Sequence, residues 1–187
     1  MIVAIPHTPD RRGRLQETIA SIRNNCTLPV IIATYENNYD GWAVSVDRLL
    51  KPLDDIVLLL GCDVIVEPGC IEKLLEAYAV AFPQSDGVVE PYNELHHGSL
   101  VQHPCGHAQT IRKYLHTGYT HCFADNELHE RLVLDNKYLY VPEAIIDHKH
   151  VVNGKAKMDK GYEFSLDHTA YEKDRELFNK RKANGFK

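Results

Sequence analysis

The sequence lacks the features that mark a membrane-spanning, secreted or disulfide-linked protein. It has no run of 18 apolar residues, so no membrane span is expected. Its five cysteines are odd in number and include no C-x-x-C pair, which excludes a disulfide framework and favours reduced thiols. The segment Met1–Pro6 carries no basic region and no cleavage-site pattern. A cytoplasmic location is therefore expected.

A net positive charge is also missing. The chain has 21 Lys and Arg against 26 Asp and Glu, a formal charge of -5, which gives no general attraction to nucleic acid or anionic lipid. Its 187 residues and 44% hydrophobic content suit one well-filled core rather than two ordinary domains. The composition thus predicts a single soluble domain.

The most informative stretch of the sequence is the apolar run Ile56–Leu60, which is followed by Gly61, Cys62 and Asp63. So short and apolar a run predicts a strand buried on both faces, as in a parallel sheet covered by helices. A helix is predicted next, with apolar residues at helical spacing: Ile71, Leu74, Leu75, Tyr78 and Phe82. Ligands of open α/β sheets bind beyond the carboxyl ends of strands, which is where Asp63 falls. The alternative is a solvated turn aspartate.

Two more strand and helix pairs precede this stretch. Ile2–Ile5 leads to a helix marked by Leu15, Ile19 and Ile22, and Val30–Ala33 leads to one marked by Trp42, Val46, Leu49 and Leu50. Such alternation with short connections predicts a parallel βαβ arrangement. Later elements are a strand near Val88, a helix over 109–115, a helix containing Asp125, a strand over 138–141 and a charged helix over 167–183.

A histidine-rich region without periodicity lies between the third helix and Tyr119. It holds His96, His97, His103 and His107, near Cys105 and Cys122. A structural zinc site is one interpretation, but the spacing matches no strong zinc pattern. Loop histidines lining a pocket are the favoured interpretation.

Taken together, four blocks in this order resemble GT-A-fold glycosyltransferases of the family 2 type, which use nucleotide-sugar donors. The blocks are Ile2–Pro6; Leu58–Gly69; Asp125 with Glu127, Leu128 and Arg131; and Tyr140–Ala144 leading to His148. The resemblance implies an open, mostly parallel, Rossmann-like twisted sheet with helices on both faces. Residues 1–150 would form the catalytic core, and a flexible loop and helix over 151–187 would complete the same domain.

The resemblance also implies a metal site. The family motif is Asp-x-Asp, and here it reads Gly61-Cys62-Asp63, so the first acid is missing. Asp63 would bind Mn²⁺ or Mg²⁺, which neutralises the departing nucleoside diphosphate. His148 would be the second protein ligand and would favour manganese slightly. A purely local hydrogen-bonding role for His148 is the alternative.

The implied catalytic base is Asp125. The family pair is Glu-Asp, and here it reads Ala124-Asp125, which keeps the basic member. Asp125 would take the proton of the acceptor hydroxyl as its oxygen attacks the anomeric carbon, with inversion. Glu127 and Arg131 are expected to tie the helix to its surroundings. Alternatively, Asp125 or Asn126 simply caps the helix.

Further donor contacts follow from the same resemblance. The loop after the first strand supplies Pro6, His7, Thr8 and Arg12, Glu36 or Asp40 follows the second strand, and Cys62 adjoins Asp63. Lys155 lies in a lysine-containing loop, Val151–Gly161, that would order over the diphosphate. A solvated mobile loop is the alternative.

The sequence therefore predicts an inverting, metal-dependent glycosyltransferase acting on a hydroxyl acceptor. A nucleotide-sugar-binding module that has lost catalysis is the main alternative, because Gly61 and Ala124 each remove an acid; a nucleotidyltransferase is less favoured. The acceptor stays open among glycan, small metabolite, protein and modified nucleobase, with nucleic acid not favoured. The short chain leaves the acceptor side minimal or completed by a partner, such as the second subunit of a homodimer.

Overall fold

The computed structural model describes residues 1–165 and 167–187. Within those ranges the strands are β1 (Ile2–His7), β2 (Ile31–Glu36), β3 (Ile56–Leu59), β4 (Val64–Val66), β5 (Val88–Tyr92), β6 (Cys105–His107) and β7 (Tyr138–His148). The helices are α1 (Arg12–Asn25), α2 (Trp42–Leu50), α3 (Cys70–Ala81), α4 (Ala108–Tyr114), α5 (Ala124–Leu134), α6 (Lys160–Ser165) and α7 (His168–Ala183).

The strands form one mixed sheet in the order β2-β1-β3-β6-β5-β7-β4. Strands β1, β2, β3, β5 and β7 run in one direction, while β6 and β4 run in the other. Ala4 of β1 lies opposite Ala33 of β2 and Leu59 of β3, so the carboxyl ends of these three strands meet at one edge. The predicted α/β fold with a mostly parallel sheet is confirmed.

Both faces of the sheet are covered by helices because the central strands are apolar on both sides. One core cluster joins alternate residues of β1 and β3 to α1 and α3, and the other joins the intervening residues to α2, α4, α5 and α7. The first contains Val3, Ile5, Leu58, Leu60, Leu15, Ile22, Ile71 and Leu74; the second contains Ala4, Val57, Leu59, Val46, Leu50, Ile111, Leu128 and Phe178.

The structure adds strands that the sequence does not reveal. Val64–Val66, expected in the turn before α3, forms β4 and pairs antiparallel with the end of β7, with Val64 opposite His148. Strand β7, expected to end at Val141, continues to His148. Strand β6 has three residues in the region that lacks periodicity. Segments this short carry no period of their own, and only their distant partners make them strands.

The C-terminal helix is anchored by buried charges. Asp174 accepts the backbone N–H groups of Thr120, His121 and Cys122 at 2.7–2.9 Å. Glu127 of α5, fully buried, accepts two hydrogen bonds from Arg181 at 2.8 Å and one from the Tyr119 hydroxyl at 2.7 Å. Since removing one partner of such a pair is strongly destabilising, these contacts hold α7 against α5. Across residues 1–165 and 167–187, every helix is too short or too polar to cross a membrane.

Candidate active site

A cavity of about 490 Å³ opens at the sheet edge where β1, β2 and β3 end. Its walls come from the loops after those strands, from the start of α5, from the end of β7 and from α6. Representative lining residues are His7, Asn37, Asp63, Asp125, His148 and Tyr162. Such a crevice beyond the carboxyl ends of parallel strands is where open α/β sheets bind ligands.

Asp63 has partners on both oxygens of its carboxylate. One carboxylate oxygen, Oδ2, accepts the Tyr162 hydroxyl at 2.7 Å and lies 3.5 Å from Arg11 Nη1. The other, Oδ1, lies 3.3 Å from His148 Nε2. Pairing of Val64 with His148 in β4 and β7 brings these two side chains together. Asp63 is therefore a structured acid with partners on both oxygens rather than a solvated turn residue.

The charge state of Asp63 follows from these partners. Burial by itself would raise the pKa of this carboxyl, but the hydrogen bond and charge of His148, the charge of Arg11 and the Tyr162 hydroxyl together hold the pKa well below its usual range. The carboxylate is ionised throughout the neutral range. Asp63 is thus a negatively charged group at the cavity wall with Arg11 as its cationic partner.

Helix α6 closes over Asp63 through a network with the N-terminal loop. Asp159 pairs with Arg11 and with Arg14 at 2.9 Å each, and the Arg11 guanidinium lies 3.9 Å from the centre of the Tyr162 ring. The Tyr162 hydroxyl also accepts from Arg14 Nη1 at 2.9 Å. Since Arg11 is mostly buried and Tyr162 fully so, these contacts form away from water, where they are strong.

Three imidazoles form a row beside Asp63. The ring centres of His103 and His148 are 5.2 Å apart, and those of His148 and His150 are 5.1 Å apart. Burial lowers the pKa of His150 to about 4, and burial lowers the pKa of His103 well below its usual value. Both rings are therefore neutral at pH 7, and they add polar surface without adding charge.

Gly61 stands where the family motif has its first acid. A Cβ placed there would lie 2.7 Å from Asp63 Oδ1 and 3.6 Å from His103. No real Cβ makes the closer of these contacts, so the carboxylate of Asp63 occupies the space that a side chain at position 61 would need.

The residues present fit a divalent cation that takes two ligands from the protein. Asp63 Oδ1 and His148 Nε2 face each other at 3.3 Å, close enough to share one ion. Within residues 1–165 and 167–187, however, no group of three or more His, Cys, Asp or Glu side chains is placed to hold a metal. Remaining ligands would have to come from a diphosphate and water, as is common for Mg²⁺ and Mn²⁺ in nucleotide sites.

Asp125 lies in the first turn of α5 at the other end of the cavity. The residue that caps α5 is Phe123, with a φ of 66°, so Asp125 is not the N-cap. Its Oδ1 accepts the N–H of Asn126 at 3.0 Å and its Oδ2 faces Gln102 Nε2 at 3.4 Å. Burial raises the pKa of Asp125, against the lowering effect of these hydrogen bonds and of nearby His96. A carboxylate of raised pKa is a suitable general base.

A second buried acid, Glu90 of β5, supports this end of the site. Its Oε1 accepts the backbone N–H groups of Gln102 at 3.0 Å and of His103 at 2.9 Å. Burial raises the pKa of Glu90 to about 8, in spite of these two hydrogen bonds and with a contribution from the charge of Asp125. Glu90 thus fixes the backbone that presents Gln102 and His103 to the cavity.

Aromatic side chains line much of the cavity wall. The ring centres of Phe123 and Tyr171 are 5.1 Å apart beside Asp125, and Phe164 of α6 contacts Tyr39 at 6.1 Å and His121 at 5.6 Å. Flat apolar surfaces of this kind suit a nucleobase or the C–H face of a sugar. The cavity therefore combines charged groups around Asp63 with ring-binding surfaces elsewhere.

The structure brings most of the residues predicted from the sequence into this one cavity. Those that line it are Pro6, His7, Thr8, Cys62, Asp63, Asp125 and His148. Four predicted donor contacts do not line it: Arg12 and Glu36 pair with each other at the exposed surface, Asp40 pairs with Arg48, and Lys155 pairs with Glu94 and Asp147. Their proposed contacts with donor stay predictions.

Several cavity residues were not identified from the sequence. Arg11 falls within the loop predicted to border the nucleotide, and its position among three arginines was the available signal. Gln102, His150 and Tyr162 carry no local pattern, because their roles depend on β6, on the extension of β7 and on α6. Glu90 was placed in a strand, but a buried acid cannot be distinguished from an edge acid by sequence alone.

This arrangement of sheet, helices and cavity defines a GT-A-like fold. The crystal structure of S. aureus TarS, a family 2 glycosyltransferase, matches with a TM-score of 0.54 and 11% identity, over 79% of this chain and 36% of TarS. At that identity the similarity shows the fold, and this chain spans little more than a third of the TarS chain. Neither the protein-family models nor the curated proteins contain a match. The predicted fold is confirmed; membership of family 2 stays a prediction.

Proposed function

We propose that this protein transfers a sugar from a nucleoside diphosphate sugar to a hydroxyl-bearing acceptor, with inversion at the anomeric carbon. The observation that carries this proposal is one cavity with two unlike carboxylates: Asp63, bonded to Arg11, His148 and Tyr162 with a lowered pKa, and Asp125, half-buried with a raised pKa. The first environment suits a diphosphate and the second suits a base. The GT-A-like fold agrees with this assignment.

The donor is proposed to lie with its diphosphate near Asp63. Arg11 and His148 already surround this acid, and His7, Asn37 and Tyr39 extend the cavity along the ends of β1 and β2 toward a site for the base and ribose. Preorganised cationic groups stabilise the charge that develops on a departing diphosphate. Arg11 is shared between Asp63 and Asp159, so binding of a diphosphate would compete with these contacts.

A divalent cation is proposed as part of the donor site, held by Asp63 Oδ1 and His148 Nε2. When bound, Mn²⁺ or Mg²⁺ would supply Lewis-acid stabilisation of the diphosphate. The Tyr162 hydroxyl, at 2.7 Å from Asp63 Oδ2, orients the carboxylate so that Oδ1 faces His148. These residues therefore determine which oxygen is presented to the ion.

Asp125 is proposed to act as the base at the acceptor end. The acceptor oxygen attacks the anomeric carbon from the face opposite the diphosphate while its proton passes to the Asp125 carboxylate. The bond from the anomeric carbon to the diphosphate oxygen breaks, and the nucleoside diphosphate leaves with the electron pair. Asp125 is half-buried, and partial desolvation raises the pKa of its carboxyl, which strengthens it as a base.

The test is titration calorimetry with nucleoside diphosphates and nucleotide sugars, with and without Mn²⁺, on the native protein and on two variants. Asp63→Asn should lose metal-dependent binding, whereas Asp125→Asn should keep it, because only Asp63 contacts the donor diphosphate. If no nucleotide binds the native protein, the proposal is wrong. If nucleotide sugars bind but neither hydrolysis nor transfer is found, the protein is a binding module that has lost catalysis.

A further inference from the structure

We infer that Gln102 is a positioning residue for Asp125, held in place by Asn93 and Glu90. The inference depends on the proposed function, since it assigns Gln102 a role in the chemistry of the same base. It starts from a chain of hydrogen bonds that crosses from the core to the cavity. Asn93 Nδ2 donates to Gln102 Oε1 at 3.0 Å, and Gln102 Nε2 faces Asp125 Oδ2 at 3.4 Å.

The direction of this chain is set by Asn93. Its own Oδ1 accepts the backbone N–H of Leu95 at 3.0 Å, so its Nδ2 is the atom left to face Gln102. Asn93 is only 2% exposed, which removes water as a competing partner. The oxygen of the Gln102 amide is therefore turned toward Asn93 and its NH₂ group toward Asp125. An amide turned the other way would place two donors against each other at Asn93 and two acceptors against each other at Asp125.

The backbone of Gln102 is fixed independently by Glu90. Glu90 Oε1 accepts the N–H groups of both Gln102 and His103, and Glu90 is itself 2% exposed. Glu90 of β5 therefore holds the backbone of Gln102, and Asn93, the residue after β5, holds its side chain. A side chain held at both ends loses little entropy when it donates to a third group, which is the purpose of a supporting residue.

The fixed orientation of the Gln102 amide affects the protonation state of Asp125. A hydrogen bond donated by Gln102 favours the ionised carboxylate and lowers the pKa that burial raises. The other groups that face Asp125 are His96, whose charge when protonated also favours ionisation, and Glu90 and Cys122, whose pKa values burial raises to about 8 and about 11, so that both are mainly uncharged at neutral pH. The contact at 3.4 Å is long, as hydrogen bonds to a base often are before substrate binds. Gln102 thus keeps the base ionised and points one oxygen into the cavity.

The test uses Gln102→Leu, Asn93→Asp and a matched control, Gln109→Leu. Gln109 is also hydrogen-bonded through both amide atoms, to the Leu53 carbonyl and to Arg112, but it lies outside the cavity. Asn93→Asp keeps the shape of the side chain and removes its donor, so the Gln102 amide should turn its oxygen toward Asp125. The pKa of Asp125 is measured by carboxyl-carbon NMR titration, which needs no ligand.

Both Gln102→Leu and Asn93→Asp should raise the pKa of Asp125, while Gln109→Leu should leave it unchanged. Release of nucleoside diphosphate from UDP-glucose, UDP-N-acetylglucosamine, GDP-mannose and dTDP-glucose, with water as acceptor, gives the kinetic readout. In the two site variants kcat should fall about tenfold at neutral pH with an unchanged KM for the donor. The acid limb of the pH profile should move to higher pH.

Two results separate this inference from the proposed function. An unchanged Asp125 pKa in folded Gln102→Leu and Asn93→Asp overturns the positioning role, whatever the activity. A raised pKa in a protein that binds and hydrolyses none of the four donors would leave the hydrogen bond established and count against glycosyl transfer from those donors. If Asn93→Asp fails to fold, Gln102→Leu against Gln109→Leu decides alone.

Discussion

The two carboxylates of the cavity have opposite environments. Asp63 has His148, Arg11 and Tyr162 on its two oxygens, and its pKa is held below the usual range against burial. Asp125 is half-buried, has one long side-chain contact, from Gln102, and has a pKa that desolvation raises. The same residue type therefore has two different environments in one cavity.

The two environments suit two different roles, electrostatic binding at Asp63 and proton transfer at Asp125. At Asp63, the contacts with His148, Arg11 and Tyr162 keep the carboxylate ionised across the neutral range. At the Asp125 end, few partners leave the carboxylate free to gain and lose a proton. Pairs of titratable groups whose environments separate their pKa values are a recognised sign of divided roles.

The largest effect is expected for Asp125→Asn. An amide cannot accept the acceptor proton, so the rate of donor hydrolysis or transfer should fall by about 10²–10⁴-fold while donor affinity stays unchanged. Steady-state release of nucleoside diphosphate, together with calorimetry, measures both quantities. A variant that retains full activity would remove Asp125 from the mechanism.

Asp63→Asn should affect stability as well as binding. Its loss leaves Arg11 and His148 without their shared anion, and breaking a buried pair of this kind costs about 3–5 kcal/mol. Because the folded-state pKa of Asp63 is lowered, the stabilisation is present above the unfolded value of about 3.8 and is lost as pH falls below it. Urea unfolding of both proteins across the acid range should therefore converge at low pH. A difference in unfolding free energy between the two proteins that stays constant as pH falls would contradict this prediction.

Glu90→Gln should show the reverse dependence on pH. The pKa of Glu90 is about 8 in the folded protein against 4.5 for the free side chain. Since the folded state holds the proton more tightly, the free energy of unfolding of the native protein should decline as pH rises through this interval. The variant has no proton to lose, so it should gain on the order of 5 kcal/mol relative to the native protein between these limits. The free energies of unfolding of both proteins are measured in urea at the two ends of this pH interval. If the difference between variant and native protein is the same at both ends, the raised pKa of Glu90 is wrong.

Tyr162→Phe should have a smaller effect. It deletes the hydroxyl that donates to Asp63 Oδ2 and accepts from Arg14, but it keeps the ring beneath Arg11. A loss of about 1–2 kcal/mol in unfolding free energy is expected, the usual cost of an unpaired buried group. Tyr171→Phe, on a half-exposed ring of the same cavity, is the control and should be neutral. A neutral Tyr162→Phe would mean that α6 is not held by this hydroxyl.

The smallest effect is expected for Arg12→Ala. Arg12 pairs with Glu36 at 2.6 Å, but the pair is solvent-exposed and lies outside the cavity lining. Exposed pairs contribute little, so neither the melting temperature nor the donor affinity should change measurably. A clear loss of donor affinity would instead restore Arg12 and Glu36 as donor contacts, as the family resemblance implied.

Much of the fold could be predicted because its central strands are short, apolar and separated by helical periodicity. Strands β1, β2 and β3 and helices α1, α2 and α3 lie within a few residues of their predicted bounds. Strand β6 and helix α6 could not be predicted, since each has too few residues to show a period. For the site, the ends of strands predicted Asp63, and the resemblance implied Asp125 and His148; all three line the cavity.

The sequence by itself determined that an acid follows a doubly buried strand and that a second acid opens a later helix. Local periodicity and strand-end position are enough for this, because both are properties of a continuous segment. What surrounds each acid depends on the tertiary structure. Pairing of β4 with β7 brings His148 to Asp63, α6 supplies Tyr162, and Asn93 and Glu90 orient Gln102 toward Asp125. A pKa depends on neighbours distant in the chain, and those neighbours are set by packing.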